Sequence, residues 1–315
     1  MTAAAVRIGL DIGGTKIAGI ALDAGGEPIA DVRLPTGWGG DAVIAGILDA
    51  VSRLRPRLPQ RAVRSIGVGI PGVIDAARGR VLHAVNLGVE SLEISRVVQD
   101  ATGIRCFVEN DVKAAALGAA ASRPRTAPMA YLNLGTGVAA GIVVDGRIWR
   151  GARGGAGEVG HIAVDPQGRI CGCGQRGCIE TLCGGGALAR AWGRDGEHPV
   201  KDILDAADEG DARASALRRD LFRGAAAAVR VLVLTADVET VVIGGGLVAL
   251  ADRLAPGIRQ ELVDESASSP FLRSLRLDER IEMLPAGSPV AAIGAALLGS
   301  ASAESVLDKE TSVHG

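Results

Sequence analysis

One pattern occurs twice in this chain and limits its fold more than any other. The stretch "VRIGLDIGGTKIAGIALD" is an apolar strand, a turn at Asp11 to Thr15 and a second apolar strand; "MAYLNLGTGVAAGIVVDG" is a strand, a turn at Gly135 to Gly137 and another strand. Glycines at such turns let the chain reverse and bring its backbone N–H groups close to something with no Cβ in the way. Either one alone reads as an ordinary hairpin. Two copies about 120 residues apart point to an internal duplication.

The segments after each hairpin support that reading. "RSIGVGIPGVID" reads as a buried strand entering a Pro-Gly turn, "IRCFVEN" as another strand, and "DVKAAALGAAAS" as an Ala-rich helix capped by Asn110 or Asp111. In the second half, "ALRRDLFRGAAAAVRVLVLTA" reads as a long helix, "ETVVIGGG" as a strand ending in three glycines, and "SPVAAIGAALLGS" as a closing helix. Mixed strands and helices in this order predict an α/β protein of two similar lobes with a cleft between them. The expected division is a smaller N-terminal lobe over residues 1–114, joined by the closing helix at about 289–300, and a larger lobe over 115–288. The tail over 301–315 lacks a periodic apolar face and is expected to fray.

Composition narrows the function. Hydrophobic residues form 48% of the 315, enough for a large core, yet aromatic residues form only 2%. The core must therefore be built from Ala, Val, Leu and Ile, and stacking platforms for single-stranded nucleic acid are scarce. A formal charge of -2 and short, interrupted basic runs argue against a nucleic-acid groove. Nothing reads as a signal peptide or a spanning helix, so the expectation is a cytoplasmic protein with neither a nucleic-acid nor a membrane partner. In a reducing compartment the cluster "ICGCGQRGCIE" reads as a metal site before a set of disulfides.

Seven segments then carry a resemblance. "GLDIGGTK", "GIPGVID", "VENDVKAAALG", "LNLGTG", "RGARGGAGEVGH", "CGCGQRGCIE" and "VVIGGG" resemble, in order and spacing, those of the ROK family of bacterial glucokinases, other hexose kinases and sugar-responsive repressors. The resemblance runs from about residue 6 to 299. It implies the duplicated, two-lobed actin-like ATPase fold of the sugar kinases, and a homodimer or homotetramer that takes ATP and a sugar.

By this resemblance, Gly13, Gly14 and Thr15 offer donors to the ATP phosphates, Lys16 adds a point charge, and Gly135, Thr136 and Gly137 form a second cradle. Asp11 would hold Mg²⁺ through water, since that ion dehydrates reluctantly. Gly244, Gly245 and Gly246 match the adenosine-side turn. On the acceptor side, Asn86 and Asn110 would bind sugar hydroxyls, and Asp111 would take the proton of the attacking hydroxyl. Without the surrounding pattern, Asp111 reads simply as a helix cap. His161, Cys171, Cys173 and Cys178 suit a closed tetrahedral site for a structural Zn²⁺. That loop would present Glu158, His161 and Glu180 to the sugar. Spacing also allows a site of Cys171, Cys173, Cys178 and Cys183 that leaves His161 free, or cysteines without metal; the resemblance favours His161. Cys106 reads as a small buried residue.

The chain departs from the family pattern near the acceptor. The Pro and Trp that usually follow the Asn86-Leu87 pair are missing, Lys113 stands where Asn is usual, Ala119 where Glu is usual, and Ala139 in a common Gly position. These changes leave open glucose, an amino-hexose, an N-acetylhexosamine or a cyclitol. A sugar sensor is the rival class; the first strand starts near Val6, which leaves no room for the helix-turn-helix domain of the family's repressors. The sequence therefore predicts an ATP-dependent sugar kinase acting on a primary hydroxyl, O6 of a glucose-like pyranose, with lobes that close on the sugar.

Overall fold

The computed structural model describes residues 5–58 and 63–311, with the side chains of 301–311 outside the description. The expectation for the tail over 301–315 lies outside the described residues in its side chains and, from 312, altogether. The chain divides into two compact units: residues 1–125, 146–154 and 289–315 form the first, and 126–145 with 155–288 the second.

In the first unit, β1 (Val6–Ile12) and β2 (Lys16–Leu22) form the first glycine hairpin, followed by β3 (Pro28–Pro35) and β4 (Val63–Ile70). A small hairpin of β5 (Val73–Asp75) and β6 (Arg80–His83) precedes β7 (Cys106–Asn110). The main sheet runs β3-β2-β1-β4-β7, with β1 antiparallel to β2 and parallel to β4, and β4 parallel to β7. Helices α1 (Gly40–Leu54), α2 (Ile94–Thr102) and α3 (Asp111–Ala120) and the C-terminal helix (Val290–Thr311) complete it.

The second unit repeats this order. β8 (Met129–Leu134) and β9 (Val138–Val144) are antiparallel, β8 is parallel to the strand Thr240–Gly244, and that strand is parallel to Ile281–Met283. The duplication read from the two glycine turns is thus a duplication of sheet topology. Helices α4 (Ile179–Cys183), α5 (Gly185–Trp192), α6 (Pro199–Asp208), α7 (Ala212–Ala236), α8 (Ala251–Ser266) and α9 (Pro270–Leu275) belong to this unit. The Ala-rich stretch of α7 is buried with the strands in one large aliphatic core.

The units differ from the expected division in two ways, and packing explains both. They are nearly equal in length, and the boundary does not fall at residue 114, because α3 is one continuous helix packed on the C-terminal helix. Small residues bring those helices close: a Cβ on Gly118 or Gly294 would overlap the facing backbone at Val290 or Ala114. The segment 146–154 also returns to the first unit, where Ile148 packs with Leu117 and Leu298. Among the described residues no helix is long and apolar enough to cross a membrane.

Candidate active site and metal centre

Asn110 ends β7 and caps α3. Its Oδ1 accepts from the backbone N–H groups of Val112 at 3.0 Å and Lys113 at 3.2 Å, and its Nδ2 donates to Gly72 O at 3.3 Å. The cap is therefore Asn110, and Asp111, the first helical residue, is relieved of that work. Only one N–H of the Asn110 amide is left for a ligand, a narrower role than several sugar contacts.

Asp111 stands close enough to Asp11 for their charges to interact. Burial, with the neighbouring Asp111, pushes the Asp11 carboxyl up to about 6 against the opposing charge of Lys16. A desolvated carboxylate with a second one near it, beside a glycine turn, suits a dication, whose charge would offset the cost of ionising Asp11. Gly14, Thr15 and Lys16 are exposed at that turn, and the Gly13 N–H is tied to Lys16 O at 2.9 Å. Asn86 belongs to the same unit, and its carbonyl lies 3.7 Å from where a Cβ of Gly14 would be.

In the second unit, three glycine stretches converge. The Gly185 N–H donates to Gly135 O at 2.8 Å and the Gly186 N–H to Thr136 O at 2.9 Å. Gly245, at φ +90, has no room for a Cβ, which would meet Leu134 O at 2.5 Å, and Gly246 N lies 3.8 Å from a Cβ position on Gly135. The turns at 135–137 and 244–246 are therefore neighbours, as a shared nucleotide role requires. Gly184 to Gly186 is a third wall that sequence reasoning missed; its signal, "CGGGAL", is as plain as "IGGG".

Glu180 is the second residue of α4, and its Oε2 accepts from the Val138 N–H at 2.9 Å, directly after the second turn. It thus ties the cysteine loop to the phosphate turn and has its other oxygen to offer. Glu158 is exposed and its carboxylate has no partner among the described residues.

The ligand atoms of His161, Cys171, Cys173 and Cys178 all lie within 4.8 Å of one another. Cys171 Sγ is 3.7 Å from His161 Nδ1, and Cys173 Sγ 3.7 Å from Cys178 Sγ. Zinc–sulfur bonds of about 2.3 Å in a tetrahedron set neighbouring ligand atoms about 3.7 Å apart, so the set fits that ion. The thiols compete for protons. The Gln175 backbone N–H draws Cys173 down to about 6, while burial and the other thiols push Cys178 up to about 12, a conflict that a bound dication would remove. Cys183 stands outside this set: it is buried in the aliphatic core and its Sγ faces Ile179 O at 3.5 Å. Burial likewise raises the Cys106 thiol to about 12, in keeping with a packing residue.

The family model described as "ROK family" matches residues 7–301. The chain belongs to the ROK family. A glucokinase from Halalkalibacterium halodurans is 33% identical over 80% of this chain and 84% of its own. An N-acetylmannosamine kinase from Yersinia pseudotuberculosis is 31% identical over 82% of this chain and 92% of its own. The crystal structure of a ROK glucokinase from Streptomyces griseus, with glucose and AMPPNP, superimposes with a TM-score of 0.73 at 30% identity and covers 93% of this chain and 98% of that one. The fold is accordingly the duplicated actin-like fold of the ROK sugar kinases.

Against the ROK pattern, Lys113 is the departure with most structural consequence. It is buried, and its Nζ donates to Gly154 O.

Proposed function

We propose that this ROK protein is an ATP-dependent kinase that phosphorylates O6 of glucose or a glucose-like hexose. The observation that carries the reading is the place of Asp111 at the start of α3: Asn110 makes the cap, and Asp111 follows it as the first helical residue, close enough to Asp11 for their charges to interact, within the unit that holds the turn at Gly13 to Lys16. In phosphoryl transfer a weak base suffices, because the transition state is loose and the hydroxyl becomes acidic late. Asp11 would hold Mg²⁺ through water, an ion that offsets charge on the phosphates when bound. Backbone N–H groups and Thr15 of the first turn, with Lys16, and the turn at Gly135, Thr136 and Gly137 would orient the phosphates, and Gly244, Gly245 and Gly246 would receive the adenosine.

Asn86, Asn110, Glu158, His161 and Glu180 would read the sugar, with Zn²⁺ on His161, Cys171, Cys173 and Cys178 fixing the loop that carries three of them. A second reading is an amino-hexose, N-acetylhexosamine or cyclitol acceptor. The similarity to an N-acetylmannosamine kinase, close to that with a glucokinase, favours keeping it.

The test is ATP consumption over glucose, mannose, glucosamine, N-acetylated hexosamines and 3-amino sugars, with the product phosphate located by NMR. Sugar-dependent turnover is expected, and Asp111→Asn should lower kcat by about 10²-fold or more. Absence of turnover with every acceptor would overturn the kinase reading, and an Asp111→Asn variant within tenfold of wild type would remove Asp111 from the chemistry.

A further inference from the structure

Glu109, the residue before the cap, has no part in the chemistry above, yet it is 3% exposed and fully engaged. Its two oxygens serve different donors. Oε1 accepts from the backbone N–H of Asn110 at 3.0 Å, and Oε2 from Arg150 Nε at 2.6 Å. A helix cap residue commonly has its N–H answered by Glu or Gln at the third helical position. Here that position is Lys113, which turns away to Gly154 O. A buried cation at the positive end of a helix dipole is unfavourable, so the stability of α3 does not account for Lys113.

Arg150 and Lys113 together fasten one short segment, 146–154, to the β7–α3 junction within the first unit. Asn110 is in turn gripped on every polar group that orients it: its N–H by Glu109, its Oδ1 by the helix and its Nδ2 by Gly72. The peptide between Asn110 and Asp111 has little freedom left.

We propose that Glu109 is a positioning residue for Asn110 and Asp111, loaded through Arg150, and that segment 146–154 sets the aim of the Asp111 carboxylate through this link. The inference rests on the reading of Asp111 as proton acceptor. Only a carboxylate can do this work, because it accepts at both ends; an amide of the same shape accepts at one and donates at the other. In Glu109→Gln either the Asn110 N–H or the Arg150 guanidinium must face an NH₂ group. The junction then shifts, and a misplacement of about 1 Å costs about 10²-fold in rate.

The experiment uses the full chain with the best acceptor from the screen and compares wild type, Asp111→Asn, Glu109→Gln, Arg150→Met and the Glu109→Gln/Arg150→Met double variant. Glu109→Gln should lower kcat by about 10- to 100-fold while KM for ATP stays within about twofold. Arg150→Met, a change at a half-exposed side chain, should fold and lower kcat by about fivefold. Adding Arg150→Met to Glu109→Gln removes the competing donor, lets the amide oxygen accept from Asn110 N–H, and should restore kcat to within about threefold of Arg150→Met alone. A merely structural role predicts losses that multiply. Multiplying losses, Glu109→Gln within threefold of wild type, or Arg150→Met within twofold if Glu109→Gln does not fold, would each overturn the proposal. An active Asp111→Asn would instead overturn the reading of the base, so the two failures are distinct.

Discussion

The two glycine hairpins share an antiparallel pairing and differ in chemistry. In each, the strands close on equivalent pairs, Asp11 with Ala18 and Ile12 with Ile17 in the first, Asn133 with Ala139 and Leu134 with Val138 in the second. The residue two places before the first glycine of the turn is a carboxylate in one copy and an amide in the other. Around the first turn stand Asp11, Lys16 and Asp111, and the turn itself is open. Behind the second lie Gly185, Gly186 and Glu180, each hydrogen-bonded to it. Duplication kept the cradle: the first copy carries its charged groups around an open turn, while the second is a buttressed surface whose neighbouring carboxylate, Glu180, is tied to the Val138 N–H.

Removing the charge of the first turn should have the largest effect. Asp11→Asn should lower kcat/KM by about 10²-fold or more, because the proposed Mg²⁺ site loses its half-buried anion. A variant within tenfold of wild type would make the two turns equivalent after all. Next is the support of the second turn. His161→Ala should lose bound zinc, measured by elemental analysis, and with it the setting of Glu180, for a fall of about 30-fold in acceptor kcat/KM. Retention of one zinc per chain in that variant would return the metal to the cysteines.

A smaller effect separates the turns sterically. A Cβ on Gly137 would lie 2.7 Å from Glu180 Oε2, whereas one on Gly14 would meet nothing nearer than Asn86 O at 3.7 Å. Gly137→Ala should break the Glu180 bond to Val138 and cost about tenfold in acceptor kcat/KM, while Gly14→Ala should leave the melting temperature within about 2 °C and raise KM for ATP. Equal thermal behaviour of the two variants would remove the distinction between a packed and an open turn.

The smallest effect is in pH. With Asp11 raised to about 6, activity at low Mg²⁺ should fall to about half near pH 6. The stability effect has the opposite sense. The folded state holds this proton more tightly than the unfolded chain, so Asp11 contributes stability at low pH that is lost as pH rises through about 6. Asp11→Asn should therefore melt higher than wild type at pH 7.5 without Mg²⁺, with the gap narrowing below pH 6 and closing toward about pH 4. An unchanged gap would mean that Asp11 is not the group that titrates.

The duplication was legible because it is written in local signals, glycine between apolar strands, and such turns need no tertiary information. The candidate metal set was half legible. Spacing admits His161 and Cys183 alike, and what separates them is that Cys183 turns into the core of α4 and α7, a contact formed across about 40 residues of chain. The first unit extends past residue 114 for a similar reason: the partners of α3, Gly294 and Ile148, are remote in sequence. The role of Asp111 was ambiguous because Asn and Asp are nearly equal as caps, and only the backbone of β7 decides which residue makes the turn.

The C-terminal helix has a consequence for how this molecule is made. Ala292 and Ala296 pack on Ile20 and Leu22 of the first hairpin, and Gly294 on Ala114, so that hairpin is finished only by residues translated long after it. The second unit is complete once Ser288 has emerged. On the ribosome the order of maturation is therefore inverted: the middle of the chain can settle first, while the N-terminal strands wait with an apolar face uncovered, the stretch of synthesis in which chaperone protection matters most.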